Sequence, residues 1–482
     1  MKTLNLNKKR LVAGTLALFT LSLPATAAGW APLLADDDEE EEEKEPVPEE
    51  ERTQYLFVHD ADIHTGTGEV LRGASLLAKD GKVVEIGYDI EVPGVHYFQD
   101  VPEEERDFRT RTLDARGMRV YPGIVAISSS GLTGTGGDFR DSIDPFSQNM
   151  VLGLAAGITT TGQGRAAVKL KRYVELEPPL PYDFDGIVLS ESTYTSVSYT
   201  SSASRRSTRE KMVRTAEYLR EYRKWQEDVK RDKELKEPDK RGVDSNLLSI
   251  LDGSTFGRFR ADDRDDLLAI ARLAQEFNFR PIIEGCREGW TVADELGRAG
   301  AMAVVTPRER RDKDERLVAE GGSSIENAAI LSRAGVQVAV VPQSQGISLD
   351  GIVGRDIMHL PVEVGFAIRG GLSDELALAS ITTVPARMMG VGHRVGTLEV
   401  GKDADLIVTD GDLLHYQTFV QYTVIDGQVV YDKQEELFFS HIRPRDEVEL
   451  APENPLDSGE NPEEESAEEE PAVEEPPASA DE

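Results

Sequence analysis

Few residues in this chain suggest chemistry, and they cluster in a few places. Arg260 is followed closely by Asp262, Asp263, Asp265 and Asp266, and then by Glu284. Hard divalent cations take oxygen ligands from grouped carboxylates, so Asp262 and Asp263 with Glu284 form a candidate cation site. The same acids suit the first turn of a helix, where the backbone dipole favours negative charge, and that is their more ordinary role. Arg260 carries a fixed charge and a planar fork of donors suited to a carboxylate or phosphate. The chain has 7 histidines, and no two of them form a His-x-His pair. His59 and His64 fall among turn signals, where a solvated or hydrogen-bonded histidine is ordinary. His359 reads as a satisfied loop or helix residue. Cys286 is the single cysteine, which excludes an intrachain disulfide. Nothing near it in sequence marks an activated thiol, so it reads as a small core residue.

The elements that must position these residues follow from pattern. The chain has 482 residues, enough for a barrel with an accessory module, and 39% hydrophobic content supplies a sizeable core. A formal net charge of −35 disfavours nucleic acid and anionic lipid as partners. Residues 1–27 read as a signal peptide, with Lys2, Lys8, Lys9 and Arg10 ahead of the apolar run Leu11 to Leu23 and the small-x-small site Ala25-Thr26-Ala27. That run is short for a membrane span, so the expectation is an exported protein, periplasmic or secreted, with no stable span after cleavage. Residues 28–54 and 436–482 are acid-rich and read as disordered spacers. Their bland role is solvation; the sharper one is weak divalent-cation binding or tethering to a basic partner.

Between the tails, Tyr55 to Gly87 alternates strand-like runs with turns, and Lys79-Asp80-Gly81-Lys82 is a hairpin cue. Arg119 to Gly131, RVYPGIVAISSSG, reads as one apolar strand that enters through Pro122-Gly123 and leaves through Ser128, Ser129 and Ser130. Ser190 to Ser207 reads as an exposed hydroxyl-rich loop whose Tyr194 and Tyr199 are placed to cover a pocket mouth. Ser207-Thr208-Arg209-Glu210 reads as a capping box opening a helix to about Asp232. From Leu247 onward strands and helices alternate, the signature of parallel βαβ units. The expected fold class is α/β, a (β/α)8 TIM-like barrel over 119–393 with a small β-sandwich formed by 55–118 and 394–435. A doubly wound sheet is the alternative, but no Gly-rich dinucleotide turn follows a first strand.

Pro385-Ala386-Arg387, Arg394 to Glu399 and Gly401-Lys402-Asp403-Ala404-Asp405-Leu406-Ile407-Val408 resemble the closing segment of the amidohydrolase superfamily. Arg260-Ala261 and Ala293-Asp294-Glu295-Leu296 are similar to stretches of its imidazolonepropionase-like members. The resemblance runs from about Tyr55 to Tyr431. It implies metal-assisted hydrolysis of a C–N bond in an amide or cyclic imide. In that chemistry the metal lowers the pKa of bound water from about 15.7 to about 7. The resemblance places the metal-binding histidines of the first strand at Ser128 and Ser130, and that of the fifth strand at Arg260. The sixth-strand histidine falls near Gly285, just after Glu284, and the last-strand aspartate near Gln343. A serine hydroxyl is a poor zinc ligand, and an arginine sets a positive charge where a cation would sit. The expectation is therefore a barrel mouth of Ser128, Ser130, Arg260, Glu284 and Gln343 that holds a small-molecule ligand without hydrolysing it, with no cofactor. Equally, these side chains simply satisfy one another. Two alternatives stay open. One is an active hydrolase holding zinc or another divalent metal through Asp262, Asp263 and Glu284. The other is an exported interaction protein working through its acidic tails. No catalytic residue is assigned, and an oligomer is compatible with the sequence.

Overall fold

The computed structural model describes residues 52–102, 105–134, 143–172, 186–312, 320–348 and 354–436. The expected signal peptide, the acidic spacer up to Glu51 and the tail from residue 437 lie outside the described residues. No helix among the described residues is long and apolar enough to cross a membrane.

The described residues begin with β1 (Thr53–His64), β2 (Val70–Lys79), β3 (Lys82–Gly87), β4 (Phe108–Asp114) and β5 (Arg119–Pro122). Then come β6 (Ile124–Ala126), α1 (Gln148–Ala155), β7 (Ile158–Gln163), β8 (Ala166–Lys169), β9 (Val188–Ser190) and β10 (Tyr194–Ser196). Helices α2 (Ser202–Asp228) and α3 (Ser245–Asp252) precede β11 (Phe256–Ala261), α4 (Arg264–Phe277), β12 (Pro281–Gly285) and α5 (Ala293–Arg298). After β13 (Met302–Val305), α6 (Asn327–Arg333) and β14 (Gln337–Val340) come α7 (Leu360–Arg369), α8 (Asp374–Ala379) and α9 (Thr383–Met388). The last strands are β15 (Leu406–Thr409), β16 (Val420–Ile425) and β17 (Gln428–Asp432).

Both ends of this region meet in one sheet ordered β17-β16-β15-β5-β1-β2-β3, with β4 beside β1. β15 runs antiparallel to β5, with Ile407 opposite Tyr121. Asp80-Gly81 and Asp426-Gly427 all have positive φ, the backbone of the mirror-image turns whose twist suits hairpins. Alternate residues such as Leu56, Val58, Leu76, Leu406 and Val408 fill the sheet's own core.

The stretch from Arg119 to Gly131 is not one barrel strand. Arg119–Pro122 belongs to this outer sheet, and Ile124–Ala126 belongs to the barrel. The chain changes sheets at Gly123, where a Cβ would lie 2.1 Å from Thr159 Oγ1. Only glycine lets the Thr159 side chain lie this close to the backbone.

The barrel wall consists of two arcs. β6 and β7 are parallel in one, and β10 to β14 are parallel neighbours in the other. Val340 N donates to Ser380 O at 3.1 Å and Val125 N to Ile381 O at 2.8 Å, which joins β14 to β6 through the segment after α8. Thr193 N donates to Arg165 O at 2.8 Å between the arcs' other ends. β8 departs from the all-parallel pattern, running antiparallel between β7 and β9. Strand alternation separates two cores. Val125, Ile127, Ile282, Met302, Val304, Ala339 and Val341 form the interior cluster. Ile124, Ala126, Phe259, Ile283, Ala303 and Val340 pack outward against Leu267, Ile270 and Leu331 of the surrounding helices.

Two sequence expectations for the helical layer shift. The helix expected from Ser207 begins at Ser202, because Ser201 is its cap: the Ser201 hydroxyl accepts from Ser204 N and the Ser204 hydroxyl from Ser201 N. The hydroxyl-rich segment before it therefore holds β10 and the first turns of α2 rather than one long loop. The acids after β11 do sit at a helix start, since Asp265 and Asp266 lie in the first turn of α4.

At the base of the barrel, Lys169 of β8 is fully buried among Asp403, Asp405 and Asp426 of the outer-sheet segments. Its Nζ lies 2.8 Å from Asp403 Oδ2 and 2.9 Å from Asp405 Oδ1. Lys82 and Arg394 also pair with Asp403. Burial opposes the lysine's charge, yet the carboxylates of Asp405, Asp426 and Asp403 hold its pKa above the usual lysine range. Burial pushes the Asp405 carboxyl up to about 6. Burial also works against the Asp403 carboxylate, but its cationic neighbours hold it down at about 2.

Candidate functional site at the barrel mouth

β11 builds the site. Its register sets Arg258 opposite Ile282 and Arg260 opposite Glu284 of β12. Ile282 belongs to the barrel interior and Phe259 to the outer core. Alternation therefore places Arg258, Arg260 and Glu284 on the inner face. They line a cavity of about 820 Å³ together with Ser128, Ser129, Tyr194, Tyr199 and Gln345. Such a volume lies in the usual range for a small-molecule site.

Arg258 is 9% exposed, and its Nε lies 3.2 Å from Glu284 Oε2. The guanidinium also lies over the Tyr194 ring, 4.5 Å from its centroid. Tyr194 is held from behind, where its hydroxyl donates to Gly164 O and its carbonyl accepts from Arg165 Nε. Arg258 is thus charge-balanced by an ion pair and packed on an aromatic ring, while its buried Nε makes no hydrogen bond among the described residues. Arg260, two residues on and exposed, has no hydrogen-bond or ion-pair partner among the described residues. The hydroxyls of Ser128 and Ser129, which line the cavity, are buried without a hydrogen-bond partner among the described residues. Buried polar groups are normally satisfied, so this concentration of open donors marks a place that receives something polar.

The structure brings Ser128, Arg260 and Glu284 to one cavity. Ser130 and Gln343 do not line the cavity. Ser130 is exposed and donates its backbone N–H to Gln345 O at 2.9 Å. The cause lies in the strand: Val125 and Ile127 face inward, so the next residue on that face is Ser129. Gln343 is exposed, and Gln345 supplies the amide instead. Sequence reasoning missed Arg258 and Ser129, both of which simple alternation from Arg260 and from Val125 reaches. Tyr194 and Tyr199 both take the place expected of them at the mouth.

The acids after β11 have guanidinium partners. Asp262 Oδ2 lies 2.9 Å from Arg287 Nη2, which also meets Glu309 Oε1 at 2.8 Å. Asp263 lies 3.5 Å from Arg311 Nη1. Burial raises the Asp262 pKa, and Arg287 opposes that shift. Glu288 caps the same corner, accepting from Arg264 N and Gly322 N. Cys286 is fully buried beside this corner, and burial pushes its thiol up to about 12, which leaves it unreactive. Among the described residues, the group of metal-capable side chains is His59, Asp60 and Asp114, with ligating atoms within 4.8 Å of one another. It lies on the surface of the outer sheet, where Arg116 Nη2 sits 3.3 Å from Asp60 Oδ2. His359 is satisfied by Asp356 at 2.6 Å, and His64 stacks on Tyr121.

A divalent metal needs neutral nitrogen or free carboxylate donors. The mouth offers hydroxyls, two guanidiniums and one carboxylate already paired with one of them. That donor set does not fit the family's metal.

Residues 293–431 match the sequence model of the Amidohydrolase family. The amidohydrolase tasK of Hapsidospora irregularis is 34% identical over 97 residues, which are 20% of this chain and 10% of that protein. The N-acetylglucosamine-6-phosphate deacetylase of Danio rerio is 44% identical over 68 residues, 14% of this chain and 16% of that protein. The matches therefore span only a small part of these relatives. The crystal structure of an amidohydrolase from Thermotoga maritima MSB8 superposes with a TM-score of 0.57 at 21% identity, over 78% of this chain and 100% of that one. The barrel, the sheet built from both ends of the described region and the matched C-terminal segment agree: the chain has the amidohydrolase fold, and residues 293–431 carry the sequence pattern of the Amidohydrolase family.

Proposed function

We propose that this protein is a ligand-binding member of the superfamily, beside its imidazolonepropionase-like branch, whose barrel mouth holds a small molecule without metal-assisted hydrolysis of a C–N bond. The observation that carries this reading is the Arg258–Glu284 ion pair with Arg260 next to it. Arg260 sets a fixed positive charge where the resemblance places a metal ligand and repels a cation there, while the carboxylate of Glu284 is already engaged by Arg258. The pairing of Asp262 with Arg287 and of Asp263 with Arg311 supports the same reading, because it neutralises the acids that a carboxylate metal site would need.

Turnover tests it. The full chain, supplied with zinc, is assayed against amides, cyclic imides and N-acetylated sugars. The expected result is no hydrolysis above the rate in buffer. Hydrolysis that disappears in Glu284→Ala and with a chelator overturns the reading.

A further inference from the structure

This inference rests on the ligand-binding reading and names the ligand class. We propose that the barrel mouth binds a small anion bearing a carboxylate or phosphate group, with Arg260 as its counter-ion and Ser128 and Ser129 as neutral donors.

Charge balance is the first argument. Arg258 is neutralised by Glu284 at 3.2 Å, so the cavity keeps the charge of Arg260. In a chain with a formal net charge of −35, acids are abundant, yet no described acid pairs with Arg260. Asp262, two residues on, turns instead to Arg287. A guanidinium left open in a concave site offers two parallel N–H donors, the geometry that carboxylate and phosphate oxygens accept best.

Hydrogen-bond accounting is the second, independent argument. Ser128 and Ser129 line the same cavity, and their Oγ atoms are buried with no partner among the described residues. An anion's remaining lone pairs would accept from them, relieving donors that are costly to leave unmade. The third argument is pre-organisation. Arg258 is clamped between Glu284 and the Tyr194 ring, and Tyr194 is itself anchored to Gly164 and Arg165. The wall beside Arg260 therefore does not have to rearrange when a ligand enters.

The experiment titrates the full chain with succinate, inorganic phosphate and the neutral isostere succinamide, read by calorimetry. The expected result is saturable binding of succinate or phosphate with one ligand per chain and no binding of succinamide. Which of the two binds identifies the acid group. Arg260→Met should weaken the binding by on the order of tenfold or more, as loss of a charged hydrogen-bond partner does. Arg260→Lys should restore part of it. Because Arg260 is exposed and unpaired, both variants should keep the thermal midpoint of the parent, which confirms that they fold. Equal binding of succinamide, an unchanged affinity in Arg260→Met, or failure of both anions to bind overturns the proposal. Hydrolysis by the parent protein with the Arg260-dependent anion response intact sinks the non-hydrolytic reading and leaves this one standing.

Discussion

Arg258 and Arg260 leave β11 on the same side because strand residues two apart share a face. Their neighbours decide what each becomes: Arg258 meets Glu284 and Tyr194, and Arg260 has no hydrogen-bond or ion-pair partner among the described residues. Arg258→Met removes the counter-ion of Glu284, whose side chain is 30% exposed. A partly buried carboxylate left without its partner costs about 1–3 kcal/mol, so the denaturant midpoint should fall accordingly. An unchanged midpoint would show that the pair is structurally idle. At this scale the sequence was half legible. Arg260 and Glu284 were singled out by the resemblance and by their types, whereas Ser130 and Gln343 rested on the resemblance alone. The inward face that Val125 and Ile127 set continues to Ser129, so the position that the resemblance gave to Ser130 falls one residue past the mouth.

The elements were more legible than the side chains at their ends. Asp-Gly pairs marked two hairpins because both residues need positive φ. The βαβ alternation marked the barrel because parallel strands require crossovers. What periodicity could not reveal was the change of sheet inside Arg119–Ala126, since both halves are buried and apolar. Gly123 alone records it, through the Cβ clash with Thr159. Gly123→Ala should therefore destabilise by about 2 kcal/mol or more, because overpacking a filled site forces backbone shifts. A thermal melt matching the parent would show that β6 and β7 separate easily at this point. The start of α2 was missed for a different reason. Ser201 and Ser207 both begin plausible caps, and only packing selects the first.

At the scale of the whole molecule, the barrel and the outer sheet meet on the buried Lys169 network. Nothing in a single sequence ties Lys169 to Asp403, Asp405 and Asp426, because the pairing spans more than two hundred residues. Its pH dependence follows from the shifts. The Asp405 carboxyl rises from 3.8 to about 6 on folding, so in that window the folded state binds more protons than the unfolded one. Its contribution to stability accordingly falls as pH rises from 3.8 to about 6. Asp403, held down at about 2, contributes stability above 3.8 that is lost as pH falls towards 2. Asp405→Asn should abolish the decline between pH 4 and 6 while leaving the loss at lower pH. Denaturation midpoints across this range check it, and a variant that keeps the parent's decline would assign that slope to another group.

The same charge logic underlies the proposal for the mouth, where Arg260 stands at a position that the resemblance gives to a metal ligand. Zinc content of the full chain measures this most directly, after expression with zinc and exhaustive buffer exchange to strip the exposed acids. The arrangement of Arg258, Arg260 and Glu284 predicts far less than one equivalent of retained zinc, unchanged in Asp262→Ala, Asp263→Ala and Glu284→Ala. A full equivalent that persists through exchange and is lost in those variants would contradict it.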